Sequence, residues 1–83
     1  MKKLLRCWWS RNNVNQIYKK VDSITEAIRW LKEQAEKDLK DKRVTWNAGG
    51  LLEFDETMVS DDEDGWCEYY NAQGLDIMEV AGL

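Results

Sequence analysis

The 83-residue sequence has no histidine, no proline, only five glycines and two cysteines, and no lysine or arginine beyond Arg43. Each shortage excludes something. Without histidine there are no Ser-His or Cys-His nucleophilic pairs, no imidazole general base and almost none of the usual catalytic zinc sites. Paired carboxylates remain, but they need a concave, partly desolvated site to separate their pKa values, and a domain this small offers little depth for one. The expectation is therefore a protein that is not an enzyme, with no catalytic residue and no cofactor. Without proline and with few glycines, the chain lacks the composition of a disordered tail or flexible linker. Only the acidic stretch from Glu56 to Gly65 has no consistent period.

No apolar run approaches the roughly 20 residues that span a bilayer. The opening MKKLLRCWW resembles a lipoprotein signal, but Arg6 interrupts its apolar stretch just before Cys7, where about 7 to 15 uninterrupted apolar residues are needed. The expectation is a cytoplasmic protein with no membrane association. Cys7 and Cys67 are too few and too far apart in sequence to form a metal-binding pattern. They read as small core residues, with a disulfide between neighbouring strands as the alternative.

A chain of this length has room for one domain, residues 1–83, and buries only about 60 to 65% of its unfolded surface. Its core must use large side chains, and five Trp, three Tyr and one Phe supply them. Alternation over Lys2 to Ser10 predicts a strand with both faces partly apolar. Ser10, Arg11, Asn12 and Asn13 supply a turn, and Val14 to Val21 returns antiparallel. Ser23, Ile24, Thr25 and Glu26 form a capping box, in which Glu26 is expected to reach back to the Ser23 amide. A helix over Ile24 to Lys40 follows, with Ile24, Ala27, Ile28, Leu31, Ala35 and Leu39 on one stripe and Trp30 on its flank. Its outer side carries Glu33–Lys37, Glu36–Lys40 and Asp38–Lys42 as pairs on a solvated face.

Beyond the helix, Val44 to Trp46 begins an extended run that Asn47 to Gly50 breaks, and Leu51 to Asp55 resumes it. Trp66 to Asn71 and Leu75 to Val80 read as a hairpin around Ala72, Gln73 and Gly74. The order is β-β-α-β-β-β. The fold class is α+β, an antiparallel sheet of four to five strands with one helix packed across one face.

Residues 60 to 65 invite comparison with an EF-hand loop, since Asp62, Asp64 and Gly65 match its third, fifth and sixth positions. Ser60 stands where the first Asp is needed and Asn71 where the bidentate Glu is needed, so no metal site is assigned. Asn47 to Gly50 lacks the spacing and lysine of a phosphate loop. Charge divides the chain more sharply than any motif. Residues 1–43 hold twelve bases and six acids, and residues 44–83 hold ten acids and no base, which together give the net charge of −4.

Glu53, Asp55, Glu56, Asp61, Asp62, Glu63, Asp64 and Glu68 are the candidate partner-binding residues, expected to build one negative field. Such a field speeds encounter with a protein that has a basic surface and repels nucleic acid. Solubility alone would also use acidic residues, but it tolerates mixed signs, and here no base intervenes. In size, acidity and lack of catalytic groups the chain resembles, in kind, small phage-encoded inhibitors of host nucleic-acid enzymes, including anti-CRISPR and DNA-mimic proteins. That resemblance, which is one of composition, implies occupancy of a basic groove. Two other readings compete. One is a nucleic-acid-binding domain using Arg6, Trp8, Trp9, Arg11, Lys19 and Lys20 on the first hairpin, and the other is a dimerising protein whose aromatic sheet face is covered by a second copy.

Overall fold

The computed structural model describes residues 4–12 and 16–83. The expected strand positions Lys2 and Lys3, the turn residue Asn13 and the start of the return strand at Val14 lie outside the described residues. The elements are β1 (Leu5–Arg11), β2 (Ile17–Val21), α1 (Ile24–Lys40), β3 (Asn47–Val59), β4 (Asp64–Glu68) and α2 (Ile77–Ala81). The strands form one antiparallel sheet in the order β2-β1-β3-β4. The α+β class stands.

Alternation along β1 sends Leu5, Cys7 and Trp9 to one face, where they join Val21, Leu51 and Ile77 beneath Ala27 and Leu31 of α1. Fully burying side chains of this size stabilises by roughly 1.5 to 3 kcal/mol each. Gly49 and Gly50 do not interrupt the sheet as expected. β3 runs straight through them, because two tryptophan rings occupy the space where their side chains would stand. A Cβ at Gly49 would lie 2.6 Å from Cζ3 of the buried Trp9, and one at Gly50 would lie 2.8 Å from Cε2 of Trp8 on the opposite face.

The start of α1 follows from its cap. The Ser23 hydroxyl accepts from the Glu26 amide at 3.1 Å, while the Glu26 carboxylate accepts from the Asp22 amide rather than that of Ser23. The apolar stripe holds for Ala27 and Leu31, with Ile24, Ile28, Ala35 and the flanking Trp30 packed against the core, but not for Leu39, which is 88% exposed. Gln34 and Asp38 take the inward positions instead. Asp38 therefore does not pair with Lys42 on a solvated face, because it turns under the helix to meet the sheet. There its carboxylate accepts from the Trp9 indole at 2.8 Å, from the Asn47 amide at 2.9 Å and from the Arg11 guanidinium, which also donates to Gln34 at 2.7 Å. Burial alone would raise the Asp38 carboxyl, but these three donors and the Arg11 charge outweigh it and hold the carboxyl below its ordinary 3.8.

The turn after β1 uses Asn12 in the left-handed conformation, φ +51°. Its side-chain oxygen accepts from the amides of Thr45 and Trp46, and its side-chain nitrogen donates to the Arg43 carbonyl, which ties the α1–β3 connection to the first hairpin.

The expected last strand, Leu75 to Val80, is instead the short helix α2. Asp76 caps it by accepting from the Glu79 amide at 2.9 Å, Gly82 closes it at φ +74°, and Ile77 plugs the core. Only the Tyr70–Asp76 bridge remains of the expected hairpin. The order is thus β-β-α-β-β-α, with four strands.

Two substitutions test this packing. Gly49→Ala should cost at least the roughly 1 to 3 kcal/mol of an overpacked core, and more than Gly50→Ala, since Trp9 is enclosed and Trp8 only half-buried. Urea midpoints measure the difference. Asp38→Ala, which strips Trp9, Arg11 and Asn47 of their acceptor, should cost roughly 3 kcal/mol. Because the native Asp38 carboxyl is depressed, its stabilising contribution is complete above the ordinary carboxyl value of 3.8 and is lost as pH falls through the lower native value. An acid-unfolding curve should lose this component in Asp38→Asn.

Candidate functional site

β1 pairs with β3 only over Asn47–Glu53, and the Phe54 amide makes one further bond to the Leu4 carbonyl. Among the described residues β4 is the only strand that accompanies β3 from Asp55 onward, so the β3–β4 hairpin extends past the described part of β1 in a long molecule of 42 × 27 × 21 Å. The stretch from Glu56 to Gly65, aperiodic in sequence, is mostly strand, with a tight turn at Ser60–Glu63 closed by reciprocal backbone bonds of 2.9 and 3.3 Å. A register shift between Phe54 and Val59 separates the tip from the regular ladder.

Six of the eight expected acids collect on this projection. Two of them serve its local structure. Asp55 accepts from the Thr57 amide and hydroxyl at 2.9 and 2.6 Å, and Asp64 accepts from the Trp66 amide at 3.1 Å. Glu56, Asp61, Asp62 and Glu63 are exposed, and no ion pair among the described residues engages them. A shallow cavity of about 430 Å³ lies at the base of the turn, lined by Met58, residues 62–64, Gly65, Trp66 and Cys67.

Glu53 and Glu68 stand apart from the tip. Glu53 pairs with Leu5 and Cys67 on the helix-bearing side of the sheet, half-buried and engaged within the chain, whereas Glu68 pairs with Leu52 on the other side. The single field expected from Glu53 to Glu68 thus divides into a tip and two residues on opposite faces. The Glu68 carboxylate and the Trp8 indole both stand over Gly50. Loss of hydration there, followed by the nearby Asp76 charge, pushes the Glu68 carboxyl above its ordinary value.

No protein-family model, curated protein or solved structure matches the chain. Among the described residues, no group of three Cys, Asp or Glu side chains is placed to hold a metal ion, and no helix is long and apolar enough to cross a membrane.

The basic residues of the first hairpin do not form one surface. Trp9 is buried and Arg11 is bonded to Asp38 on the helix side, while Arg6, Trp8 and Lys20 lie on the open side. There the Arg6 guanidinium is stacked between two rings, 4.6 Å from the Tyr18 centroid and 4.3 Å from that of Trp66. Trp66 also meets Phe54 edge-on at 5.4 Å. Strand alternation places Arg6 beside Trp8 in the sequence itself. The arrival of Trp66 depends on β4 lying beside β3, which no local pattern specifies.

Cys7 and Cys67 are both free. β3 runs between their strands, and two strand spacings of about 4.8 Å already exceed the roughly 7 Å Cα separation that a disulfide tolerates. The sequence alternative of a bond between neighbouring strands is therefore ruled out. Burial, with a smaller contribution from Glu26, pushes the Cys7 thiol up to about 12. A thiol reagent at neutral pH should modify Cys67 first and leave Cys7 untouched until the chain unfolds; mass spectrometry of native and urea-treated protein checks this.

Proposed function

We propose that the chain is a non-enzymatic protein-binding module that acts in the cytoplasm by occupying a basic groove of a partner protein. It would work as the small phage-encoded inhibitors and nucleic-acid mimics do. The observation that carries this reading is the projecting β3–β4 hairpin, whose tip holds six carboxylates and no base, four of them free of ion pairs among the described residues. A narrow two-stranded projection enters a groove that the body of the domain cannot, and its like charges raise the rate of encounter with a cationic surface by 10-fold or more at low salt. A groove built to hold a phosphate backbone has the complementary charge, and the same tip repels nucleic acid.

The test is affinity capture from the native host lysate, followed by kinetics with the protein retained. The triple change Asp61→Lys, Asp62→Lys, Glu63→Lys avoids the two carboxylates that hold the tip's backbone. It should leave the unfolding midpoint within about 0.5 kcal/mol of wild type and slow association at least about tenfold at low salt. The difference should shrink in 1 M salt, where the screening length is about 3 Å. Displacement of the hairpin by duplex DNA or RNA would identify the groove. Unchanged association after the triple reversal would sink the assignment of the tip.

A further inference from the structure

Both helices pack on the face that carries Cys7, Trp9 and Leu51. Among the described residues no element covers the other face, which presents Leu4, Trp8, Tyr18, Leu52, Phe54 and Trp66. Leu4 is 50% and Tyr18 53% exposed. Charges on this face fall in one row across the four strands. Lys20 is opposite Arg6, Arg6 opposite Leu52, and Leu52 opposite Glu68. The row therefore reads positive, positive, neutral, negative from one sheet edge to the other.

Among the described residues none of its three charges, Lys20, Arg6 and Glu68, has a counter-ion, and Arg6 is held only by the Tyr18 and Trp66 rings. The Arg6 Nε is buried without an acceptor. Like charges directly opposite one another destabilise a strand pair, so Lys20 beside Arg6 is a cost that no carboxylate among the described residues offsets. A guanidinium serving only as a flat cover between two rings needs no second cation at its side.

We propose that this open face is a homodimer interface, closed by a second copy turned about a two-fold axis that runs along the strands, so that Lys20 of each copy meets Glu68 of the other. A rotation about that axis exchanges the β2 and β4 edges and keeps each row in register with itself, which makes the charge row self-complementary. Arg6 then lies within one strand spacing of the same carboxylate. A two-fold across the strands that lies on this row sets Lys20 on Lys20 and Glu68 on Glu68 and is disfavoured by charge. A C2 contact requires such self-complementarity of one patch, and the tryptophans, tyrosine and leucines supply its apolar centre.

Size sets the strength. Seven residues each of β1 and the segment of β3 paired with it and five each of β2 and β4, at about 3.3 by 4.8 Å per residue, give a plane of roughly 380 Å² per copy, below the roughly 1,000 Å² in total that a stable specific interface buries. The dimer is thus a reversible one. Single-stranded nucleic acid, the other occupant that aromatic rings and cations suit, meets the Glu68 carboxylate on this face and is repelled.

Sedimentation equilibrium from low micromolar to submillimolar protein tests this. The mass should rise with concentration toward twice the 9.8 kDa of one chain, and added salt should oppose the rise. Lys20→Glu and Glu68→Lys, both at exposed positions, should each stay monomeric where wild type is dimeric, with circular dichroism confirming that both fold. An equimolar mixture of the two should dimerise again, because opposite charges then meet at both contacts. The tip reversal described above should leave the mass unchanged, so failure here and failure of the hairpin assignment are separately visible. A wild type that is monomeric throughout overturns the proposal. So do single variants that dimerise as wild type does, a mixture that stays monomeric, or a mass that rises only when a single-stranded oligonucleotide is added.

Discussion

The Asp38 carboxylate is the point at which helix and sheet are locked together. Its inward position on α1 comes from the same spacing that buries Ala27 and Leu31, and its three donors come from β1 and β3. An ionised group taken out of water is tolerated only when its oxygens are saturated with donors. Here they are. That requirement fixes the rotation of α1 about its axis and orients the Trp9 ring, which in turn explains why Gly49 lies beneath that ring. Leu39, one residue on, is left in solvent as a consequence.

Much of the fold is legible in the sequence where local chemistry decides. The Ser23 cap and the helical period define α1 to the residue at both ends, and alternation defines β1. What is not legible follows from long-range packing. A buried Asp on a charged helix looks like a solvated one until Arg11 and Asn47 arrive from 27 and 9 residues away. The last element shows a second kind of failure. Asp76, three residues before Glu79, repeats the spacing of Ser23 and Glu26 and signals a helix start, but the preceding Asn71 to Gly74 turn favours reading a hairpin. The buried Ile77 decides for the helix.

The candidate site was legible in part. Composition identifies the acidic half, and the tip gathers most of it. Strand pairing then separates Glu53 from Glu68, because a pleated sheet sends neighbouring ladder positions to opposite sides. The open face was the least visible feature, since it joins Arg6, Tyr18 and Trp66 from three strands whose adjacency is a property of the whole sheet. The polarity of the chain is nevertheless preserved in space. Basic β2 and acidic β4 are the two edges of the sheet, so the difference in charge along the sequence becomes a difference across the molecule.

Gly65 holds the base of the projecting hairpin, at φ +85°, where any side chain would strike Phe54 and Val59 at 2.8 Å. Together with the register shift and the bonds that Asp55, Ser60 and Asp64 close within the tip, it confines the tip's architecture to a few positions. The remaining tip acids, Glu56, Asp61, Asp62 and Glu63, are exposed and make no ion pair among the described residues. Mutation can therefore change these four at little risk to folding, so the charge at one end of the molecule can be rewritten in a handful of codons while the body beneath stays the same.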